Sequence, residues 1–475
     1  MSHHKPDPNK NVNLTIDGLP VTVPEGTRIL EAARKAGIFI PTLCEHPDLC
    51  KRAVCRVCVV EGDGRGKLFA ACASDVWEGA NIVTNNARLA GIRKTIVELI
   101  LANHPQECLT CIRSKNCELQ SLAETLGIRE SVFRREAMGS KPPVTESMTL
   151  VRDMAKCVKC GRCVEACQEV QTVHAINSSF RGIHYEISAP YGQSLTDGAC
   201  VFCGQCSHVC PVGALYERDQ SAEAWAALGS AERKAAVRID SAIGAAFDEA
   251  LGLPAGTVST GKLVTALKRL GFGRVLNANI AAQSAVNELC GELLKRVQQG
   301  AKLPLIAGCW QGLPRFVENC CGDLANHVYS CSQPPDYEAT IAVEPCLAKK
   351  YSTHAITLTV RETARMFTLA GIDFINLDES PFDEPAETGS EDSRQIVFHA
   401  IEGQNGVEGA ELNIKGSKVQ LLIVHGLGNA RTIMESIRRG TCDAVFVEIL
   451  CCPGSRAGCR PLSPALADAL CNTNE

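Results

Sequence analysis

The chain contains 27 cysteines among 475 residues, and most of those in its first half stand at short, regular spacings. Cysteine thiolates bind zinc and iron–sulfur clusters, whereas cysteines in small secreted proteins pair as disulfides. The N-terminus, MSHHKPDPNKN, is hydrophilic and shows no signal-peptide pattern, so we expect a cytoplasmic protein with reduced thiols. Disulfide scaffolds are also much shorter than this chain. We therefore interpret the cysteines as metal ligands.

Two runs of four cysteines repeat the spacing C-x2-C-x2-C-x3-C. This is the spacing of two-cluster bacterial ferredoxins, in which the fourth cysteine of each run binds the other cluster. Pro211 follows the second run, as in ferredoxins, whereas Gln168 follows the first. The predicted ligand sets of two [4Fe–4S] clusters are Cys157, Cys160, Cys163 and Cys210, and Cys200, Cys203, Cys206 and Cys167.

Two further ligand sets precede these runs. The first has the spacing C-x10-C-x2-C-x13-C, and four thiolates from one loop and one later strand suit a [2Fe–2S] cluster, with zinc as the alternative. Its members are Cys44, Cys55, Cys58 and Cys72, and Cys50 is left unassigned. The second has the spacing H-x3-C-x2-C-x5-C, in which an imidazole replaces one thiolate and shifts the reduction potential. Its members are His104, Cys108, Cys111 and Cys117.

The elements that position these ligands differ along the chain. Alternating apolar residues on both sides of Asp17-Gly18 predict a hairpin, and a helix follows before the first cysteine loop, which is a β-grasp arrangement. A helical pattern over 86–102 ends at the second cysteine loop. After about Val237, apolar strands such as KLPLIAGC, ATIAVEPC and VQLLIVHGLG alternate with helices, which predicts a buried α/β sheet. The fold class is therefore multidomain, α/β and α+β.

Bulk properties exclude several classes of function. The net charge of −5 gives no basic surface for nucleic acid, and no run of about 18 apolar residues predicts a membrane span. The predicted domains are a [2Fe–2S] domain at 11–85, a His/Cys3 [4Fe–4S] domain at 86–140, a two-cluster ferredoxin domain at 141–218 and an α/β domain at 219–475.

The order of these motifs resembles that of iron-only ([FeFe]) hydrogenases, and the first part is also similar to the large iron–sulfur subunit of complex I. In the C-terminal part the resemblance rests on GLPAGTVSTGKLVTALKRLGF, LPLIAGCWQGLPRFVE, AVEPCLAKKY, HGLGNARTIMESI and VEILCCPGS. It implies that the His/Cys3 set holds a [4Fe–4S] cluster. It also implies a catalytic domain in which four cysteines hold a [4Fe–4S] cluster, and one of them bridges to a two-iron unit.

The chain departs from the hydrogenase pattern at two of those four positions. Trp310 stands where the first ligand is expected, immediately after Cys309, and Arg456 stands at the position of the bridging cysteine. A guanidinium stays cationic and cannot bind iron. The glycine-rich helical insert expected between Phe398 and Leu412 is also missing. We therefore expect no two-iron subsite and assign no catalytic residue.

The remaining C-terminal cysteines could hold a fifth cluster, of the [4Fe–4S] type. The predicted ligands are Cys309, Cys346, Cys452 and Cys459, with Cys451 as the alternative fourth ligand. The alternative interpretation is that these are buried thiols without a metal, because free cysteine is common in protein cores. The stretch HGLGNA offers G-x-G but has Arg431 where a third small residue is needed, so a dinucleotide site is not predicted.

The predicted function is that of an iron–sulfur electron-transfer subunit. The resemblance implies partners: a flavin- and NAD(H)-binding iron–sulfur subunit, a further subunit carrying the NADPH or other terminal reaction, and ferredoxin. By analogy with hydrogenase-like subunits, we expect an electron-bifurcating NADH/NADPH/ferredoxin transhydrogenase from an anaerobe. The alternatives are an NAD- and ferredoxin-linked formate dehydrogenase complex, an atypical hydrogenase, and a redox sensor.

Overall fold

A computed structural model of the chain describes residues 7, 9–63, 66–133, 144–145, 149–230, 235–239, 243–300, 302–308, 312–329, 341–352, 356–383, 396–414, 417–453 and 461–472. Cys309, Trp310, Arg456 and Cys459 lie outside the described residues. Within the described residues, no helix is both long enough and apolar enough to cross a membrane. The chain is a mixed α/β multidomain protein.

The first segment is a five-stranded sheet with one helix packed against it. Its elements are β1 (Asn11–Ile16), β2 (Leu19–Pro24), α1 (Ile29–Lys35), β3 (Val59–Gly62), β4 (Lys67–Ala70) and β5 (Asn81–Val83). The strand order is β2-β1-β5-β3-β4, with β1 and β5 parallel and the other pairs antiparallel. Asp17 and Gly18 both have positive φ, as a two-residue hairpin turn between β1 and β2 requires.

Two helices form the second segment, α2 (Ala87–Ala102) and α3 (Glu118–Thr125). The Asn86 side chain accepts a hydrogen bond from the Leu89 amide and caps the N-terminus of α2. Arg93 of α2 is buried and donates to the carbonyls of Val59 and Thr84, at 2.7 Å each. These contacts attach α2 to the first sheet.

The third segment consists of short elements around the two cysteine runs. They are β6 (Val144–Thr145), β7 (Leu150–Arg152), α4 (Arg162–Glu165), β8 (Asn177–Ser179), β9 (Glu186–Ser188), α5 (Gln205–His208) and β10 (Leu215–Glu217). Strands β10, β7 and β6 form an antiparallel sheet, and β8 pairs with β9. Gly161 and Gly204 precede α4 and α5 in the left-handed conformation, so the two runs share one backbone pattern.

The C-terminal segment contains two sheets, flanked by helices. The first sheet is parallel and has the order β12-β11-β14-β15. Its strands and the neighbouring helices are α6 (Ser221–Leu228), β11 (Ala236–Ile239), α7 (Gly244–Leu251), α8 (Thr260–Leu270), β12 (Arg274–Asn277), β14 (Ile341–Glu344), β15 (Ile356–Thr359) and α11 (Val360–Leu369). The core of this sheet is a cluster of buried aliphatic and aromatic side chains, with no cysteine among its described residues.

The second sheet has the order β13-β19-β18-β17-β16, with β13, β19 and β18 parallel and β17 and β16 antiparallel. Its elements are α9 (Ala278–Gln299), β13 (Leu305–Gly308), α10 (Leu313–Cys321), β16 (His399–Ala400), β17 (Val407–Ile414), β18 (Ser417–His425), α12 (Leu427–Arg438), β19 (Ala444–Leu450) and α13 (Ser463–Asn472). The antiparallel pair β16–β17 occupies the stretch in which the resemblance predicts a missing helical insert.

Candidate metal centres

The four cysteines predicted to hold the [2Fe–2S] cluster approach one another as two pairs. The Cys58 and Cys72 sulfurs lie 3.4 Å apart, and the Cys55 amide donates to the Cys44 sulfur at 3.5 Å. A hydrogen bond between the thiols of Cys44 and Cys55 lowers the pKa of Cys44 to about 6 and raises the pKa of Cys55. In the same way, the contact with Cys72 lowers the pKa of Cys58 to about 7. Two cysteine pairs match the two irons of a [2Fe–2S] cluster, each of which has two cysteine ligands.

The loop that carries this site bends through left-handed residues. Ala53 and Arg56 have φ of 53° and 61°, and amides of Val54 and Cys55 point to the Cys44 sulfur. Amide donors stabilise thiolate sulfur and raise the potential of a cluster that it binds. Cys50 lies outside the two pairs and is exposed, in keeping with its being left unassigned.

Three members of the His/Cys3 set line a cleft between α2 and α3, namely His104, Cys108 and Cys117. The fourth, Cys111, has its sulfur close to Gly213. Burial lowers the pKa of His104, which keeps the imidazole neutral, and its Nδ1 atom is buried without a hydrogen-bond partner. Cys117 is the N-cap residue of α3 without a side-chain capping hydrogen bond, and burial raises the pKa of its thiol although the amides of Gln120 and Leu119 act in the opposite direction. A neutral imidazole and an N-terminal cysteine suit a mixed His/Cys ligand set.

The two ferredoxin-type runs enclose two apolar cavities. Each cavity is lined by three cysteines of one run and the fourth cysteine of the other run. The two sets are Cys157, Cys160, Cys163 and Cys210, and Cys200, Cys203, Cys206 and Cys167. The structure therefore brings together the crossed quartets that the spacing predicts. That these residues bind iron stays a prediction.

The thiols around these cavities are held in an apolar environment. Burial raises the pKa of Cys157 to about 11 and that of Cys160 to about 12, and it also raises the pKa of Cys163, Cys203 and Cys206 well above the ordinary value of a thiol. A buried thiol remains protonated unless a cation offsets the charge of the thiolate. Iron supplies such a charge and deprotonates a coordinating thiol outright.

The C-terminal domain brings three cysteines together at the ends of two strands. Cys346 follows β14, and Cys451 and Cys452 follow β19. Their sulfur atoms all lie within 4.8 Å of one another. Cys346 and Cys451 are buried and Cys452 is half-buried. The structure thus groups the predicted ligands Cys346 and Cys452 with Cys451, which the sequence favours only as the alternative fourth ligand. Cys309 and Cys459 lie outside the described residues.

The second ferredoxin-type site is directly beside this three-cysteine group. Gln205, next to Cys206, donates through Nε2 to the Cys452 sulfur at 3.4 Å. Gln171 donates to the Cys451 carbonyl at 2.8 Å and accepts from the Leu427 amide at 2.9 Å. Sequence reasoning missed both glutamines, because the spacing of the cysteines contains no sign of contacts between segments so far apart.

The HGLGNA stretch is occupied by another part of the protein. A Cβ atom on Gly428 would lie 2.6 Å from the Val170 carbonyl oxygen, and Gln171 already caps the Leu427 amide. The start of α12 therefore packs against the ferredoxin-type segment. That no dinucleotide binds at this turn stays a prediction.

Successive candidate sites border common hydrophobic cores. One core is in contact with Cys55, Cys117, Cys157 and Cys210. A second contains or touches cysteines of both ferredoxin-type quartets. A third contains Cys346 and Cys451 and is in contact with Cys203 and Cys452. The five candidate sites are thus neighbours in an unbroken series of shared cores.

Family models match four consecutive parts of the chain. Residues 9–87 match a 2Fe-2S iron-sulfur cluster binding domain, and 93–131 match the NADH-ubiquinone oxidoreductase-G iron-sulfur binding region. Residues 148–216 match the ferredoxin-like domain of NADH-quinone oxidoreductase subunit 3. Residues 233–459 match the C-terminal domain of the iron only hydrogenase large subunit.

Full-length relatives decide the family. The chain is 34% identical to NADP-reducing hydrogenase subunit HndD of Solidesulfovibrio fructosivorans, over 94% of this chain and 88% of that protein. The chain belongs to the iron-only hydrogenase family. Within that family it is also 27% identical to Iron hydrogenase 1 of Clostridium pasteurianum, over 93% of this chain and 87% of that protein.

This iron-only hydrogenase family member also resembles complex I subunits in its first part. It is 34% identical to an NADH-quinone oxidoreductase subunit of Rhizobium meliloti, over 43% of this chain and 24% of that protein. The predicted resemblance to both families is confirmed. The chain is therefore an iron–sulfur protein related to a subunit of an NADP-reducing hydrogenase and, in its first part, to a subunit of NADH-quinone oxidoreductase.

Proposed function

We propose that this chain is the electron-transfer subunit of a cytoplasmic, flavin-based electron-bifurcating transhydrogenase that links NADH, NADPH and ferredoxin. Its carriers are one [2Fe–2S] cluster and three [4Fe–4S] clusters, bound by the four ligand sets described above, one of which includes His104. The chain has no catalytic residue of its own, and the hydride chemistry takes place on partner subunits.

The observation that carries this proposal is the continuity of the hydrophobic cores. Because neighbouring sites border the same core, electrons move between clusters through packed, apolar protein. Burial in a low-dielectric core also reduces the solvent reorganisation that accompanies a change of cluster charge. The arrangement favours the transfer of single electrons along the chain.

The loss of hydrogen chemistry is inferred from the sequence of the C-terminal domain. Trp310 and Arg456 replace two of the four cysteines expected for the catalytic cluster, and one of the two is the bridge to the two-iron unit. Neither side chain can bind iron. With that anchor absent, the terminal reaction belongs to another subunit.

The partners follow from this assignment. A flavin- and NAD(H)-binding iron–sulfur subunit exchanges electrons with the chain, a further subunit carries the NADPH reaction, and ferredoxin is the low-potential partner. The relatives support this, because they include a subunit of an NADP-reducing hydrogenase and a subunit of NADH-quinone oxidoreductase.

The test uses the complex purified anaerobically with its native partners. We expect coupled turnover of NADH, NADP⁺ and ferredoxin, and no hydrogen evolution. Cys203→Ser removes a ligand of the second ferredoxin-type cluster and should abolish ferredoxin-linked turnover, while NADH oxidation by an artificial dye at the flavoprotein persists. Cys50→Ser, at an exposed cysteine, is the control and should leave both activities unchanged. Absence of coupling in the intact complex would contradict the proposal.

The second candidate function is hydrogen turnover, favoured by the full-length similarity to an NADP-reducing hydrogenase subunit. It predicts infrared bands of iron-bound CO and cyanide in the maturated protein, together with hydrogen evolution. Detection of either signal in the wild-type complex would contradict the transhydrogenase assignment and support hydrogen turnover instead.

A further inference from the structure

The three-cysteine group in the C-terminal domain has a geometry that differs from that of the other candidate sites. Its three sulfurs lie within 4.8 Å of one another. Among all described residues, no other three histidine, cysteine or carboxylate ligand atoms come that close together. The eight ferredoxin-type cysteines are described, and their sulfurs are spread around the two cavities instead.

The spacing distinguishes a single ion from a cluster. Four thiolates around one tetrahedral ion, each with a metal–sulfur bond of about 2.3 Å, place their sulfur atoms about 3.8 Å apart. In a [4Fe–4S] cluster each thiolate binds a different iron at a corner of the cube, so the sulfurs are held farther apart. The fifth four-iron cluster expected from the sequence therefore does not fit the described cysteines well, whereas one ion does.

The surroundings also favour a bound metal. Cys451 is fully buried, and Cys346 is 3% exposed. The side chain of Gln171 donates a hydrogen bond to the Cys451 carbonyl, and that of Gln205 donates to the Cys452 sulfur. Residues of the ferredoxin-type segment therefore hold the backbone at Cys451 and the sulfur of Cys452 in position. Such outer contacts orient the ligands of metal sites. Three thiols collected in a core are stabilised when a soft cation replaces their protons.

We propose that Cys346, Cys451 and Cys452 bind one thiophilic metal ion, zinc or iron, in place of a fifth cluster. On binding, each coordinating thiol releases its proton to solvent and binds through sulfur. Cys346 follows a strand of the first C-terminal sheet and the other two follow a strand of the second. The ion therefore cross-links the two sheets and has a structural role. The inference goes beyond the proposed function and holds whatever terminal reaction the complex performs.

The test is a metal count on the intact chain purified anaerobically. With four clusters we expect about 14 irons per chain, together with about one further zinc or iron ion. Cys451→Ala should lose about one metal ion and leave the cluster spectra unchanged. Cys321→Ala, which alters another buried cysteine of the same core, is the matched control and should keep the wild-type metal content.

Three results would overturn the inference. They are a wild-type content of about 18 irons, loss of about four irons with one cluster signal in Cys451→Ala, or an unchanged metal content in that variant. If the variant does not fold, native mass spectrometry of the wild type decides the question. A mass for four clusters plus one ion supports the inference, and a mass for four clusters alone or for five clusters contradicts it.

Discussion

At the scale of single residues, Arg162 connects three of the segments. Its side chain is 3% exposed and makes two hydrogen bonds to the Glu118 carboxylate, at 2.6 and 2.7 Å. It also donates to the Glu45 carbonyl at 2.7 Å, next to Cys44. The same residue lies between Cys160 and Cys163 in sequence. One buried cation thus stands beside the [2Fe–2S] site and beside the first ferredoxin-type quartet.

Replacing Arg162 by Met should destabilise the protein by about 2 kcal/mol, less than for a fully buried pair, because the Glu118 side chain is half exposed and can be hydrated. It should also lower the reduction potential of the [2Fe–2S] cluster, since a nearby positive charge favours the more negative, reduced state. Denaturation followed by circular dichroism and redox titration followed by electron paramagnetic resonance measure the two effects. Arg162→Lys keeps the charge and should retain most of the potential. An unchanged potential in Arg162→Met would show that the residue has only a packing role.

At the scale of secondary-structure elements, helix α12 joins the C-terminal domain to the ferredoxin-type segment. Gly428 at its start lies against the Val170 carbonyl. Arg431, one turn later, donates to the Thr172 hydroxyl at 3.0 Å and to the Thr172 carbonyl at 2.6 Å. This docking places the end of β19 beside the second ferredoxin-type site.

Gly428→Ala should weaken this docking, because its Cβ would meet the Val170 carbonyl oxygen at 2.6 Å, closer than packed atoms approach. We expect a loss of about 1–3 kcal/mol in apparent unfolding free energy, measured by denaturant titration. Gly91→Ala is the matched control, since Gly91 is also a helical glycine and, apart from its chain neighbours and its own helix backbone, no heavy atom of the described residues lies within 4 Å of the added Cβ. That control should be neutral or stabilising by up to about 1 kcal/mol. Equal effects of the two substitutions would contradict the proposed contact.

Much of this element structure follows from sequence patterns. The hairpin around Asp17 and Gly18, the helix that begins after Asn86 and the strand–helix alternation after Val237 are all present as predicted. The crossed quartets were also predictable, because the repeated spacing is that of two-cluster ferredoxins, in which the fourth cysteine of each run joins the first three of the other. The surroundings of Cys451 could not be predicted in this way. Its neighbours lie on another sheet and at Gln171, about 280 positions earlier in the chain. Such long-range contacts have no periodicity from which a sequence could reveal them.

At the scale of the whole molecule, the cysteine-bearing cores and the first C-terminal sheet are separate units of packing. Among the residues that the structure describes, the largest core lies under the sheet β12-β11-β14-β15 and contains no cysteine. The core between the two ferredoxin-type cavities borders cysteines of both quartets. The first unit derives its stability from burial of apolar side chains, whereas the second encloses two cavities lined by the predicted cluster ligands.

Iron depletion should therefore affect the chain unevenly. We expect the amides of β7 and β10 and of the helices α4 and α5 to lose protection from hydrogen exchange, because their core loses its clusters. The amides of β11, β12 and β15 should remain protected. Hydrogen–deuterium exchange with mass spectrometry on iron-loaded and iron-depleted protein measures both sets of peptides. Uniform loss of protection along the whole chain would show that the cores unfold as one cooperative unit.

The crossing of the two ferredoxin-type quartets has a consequence for biosynthesis. The first quartet is incomplete until its fourth predicted ligand has been translated. That ligand is Cys210, which the ribosome adds 47 residues after Cys163. Neither cavity can close around iron until both runs have been translated, and closing one brings the fourth ligand of the other into place. Delivery of iron and sulfide to this segment should therefore be a late and paired event, and chains that carry only one of the two clusters should be rare among newly made molecules.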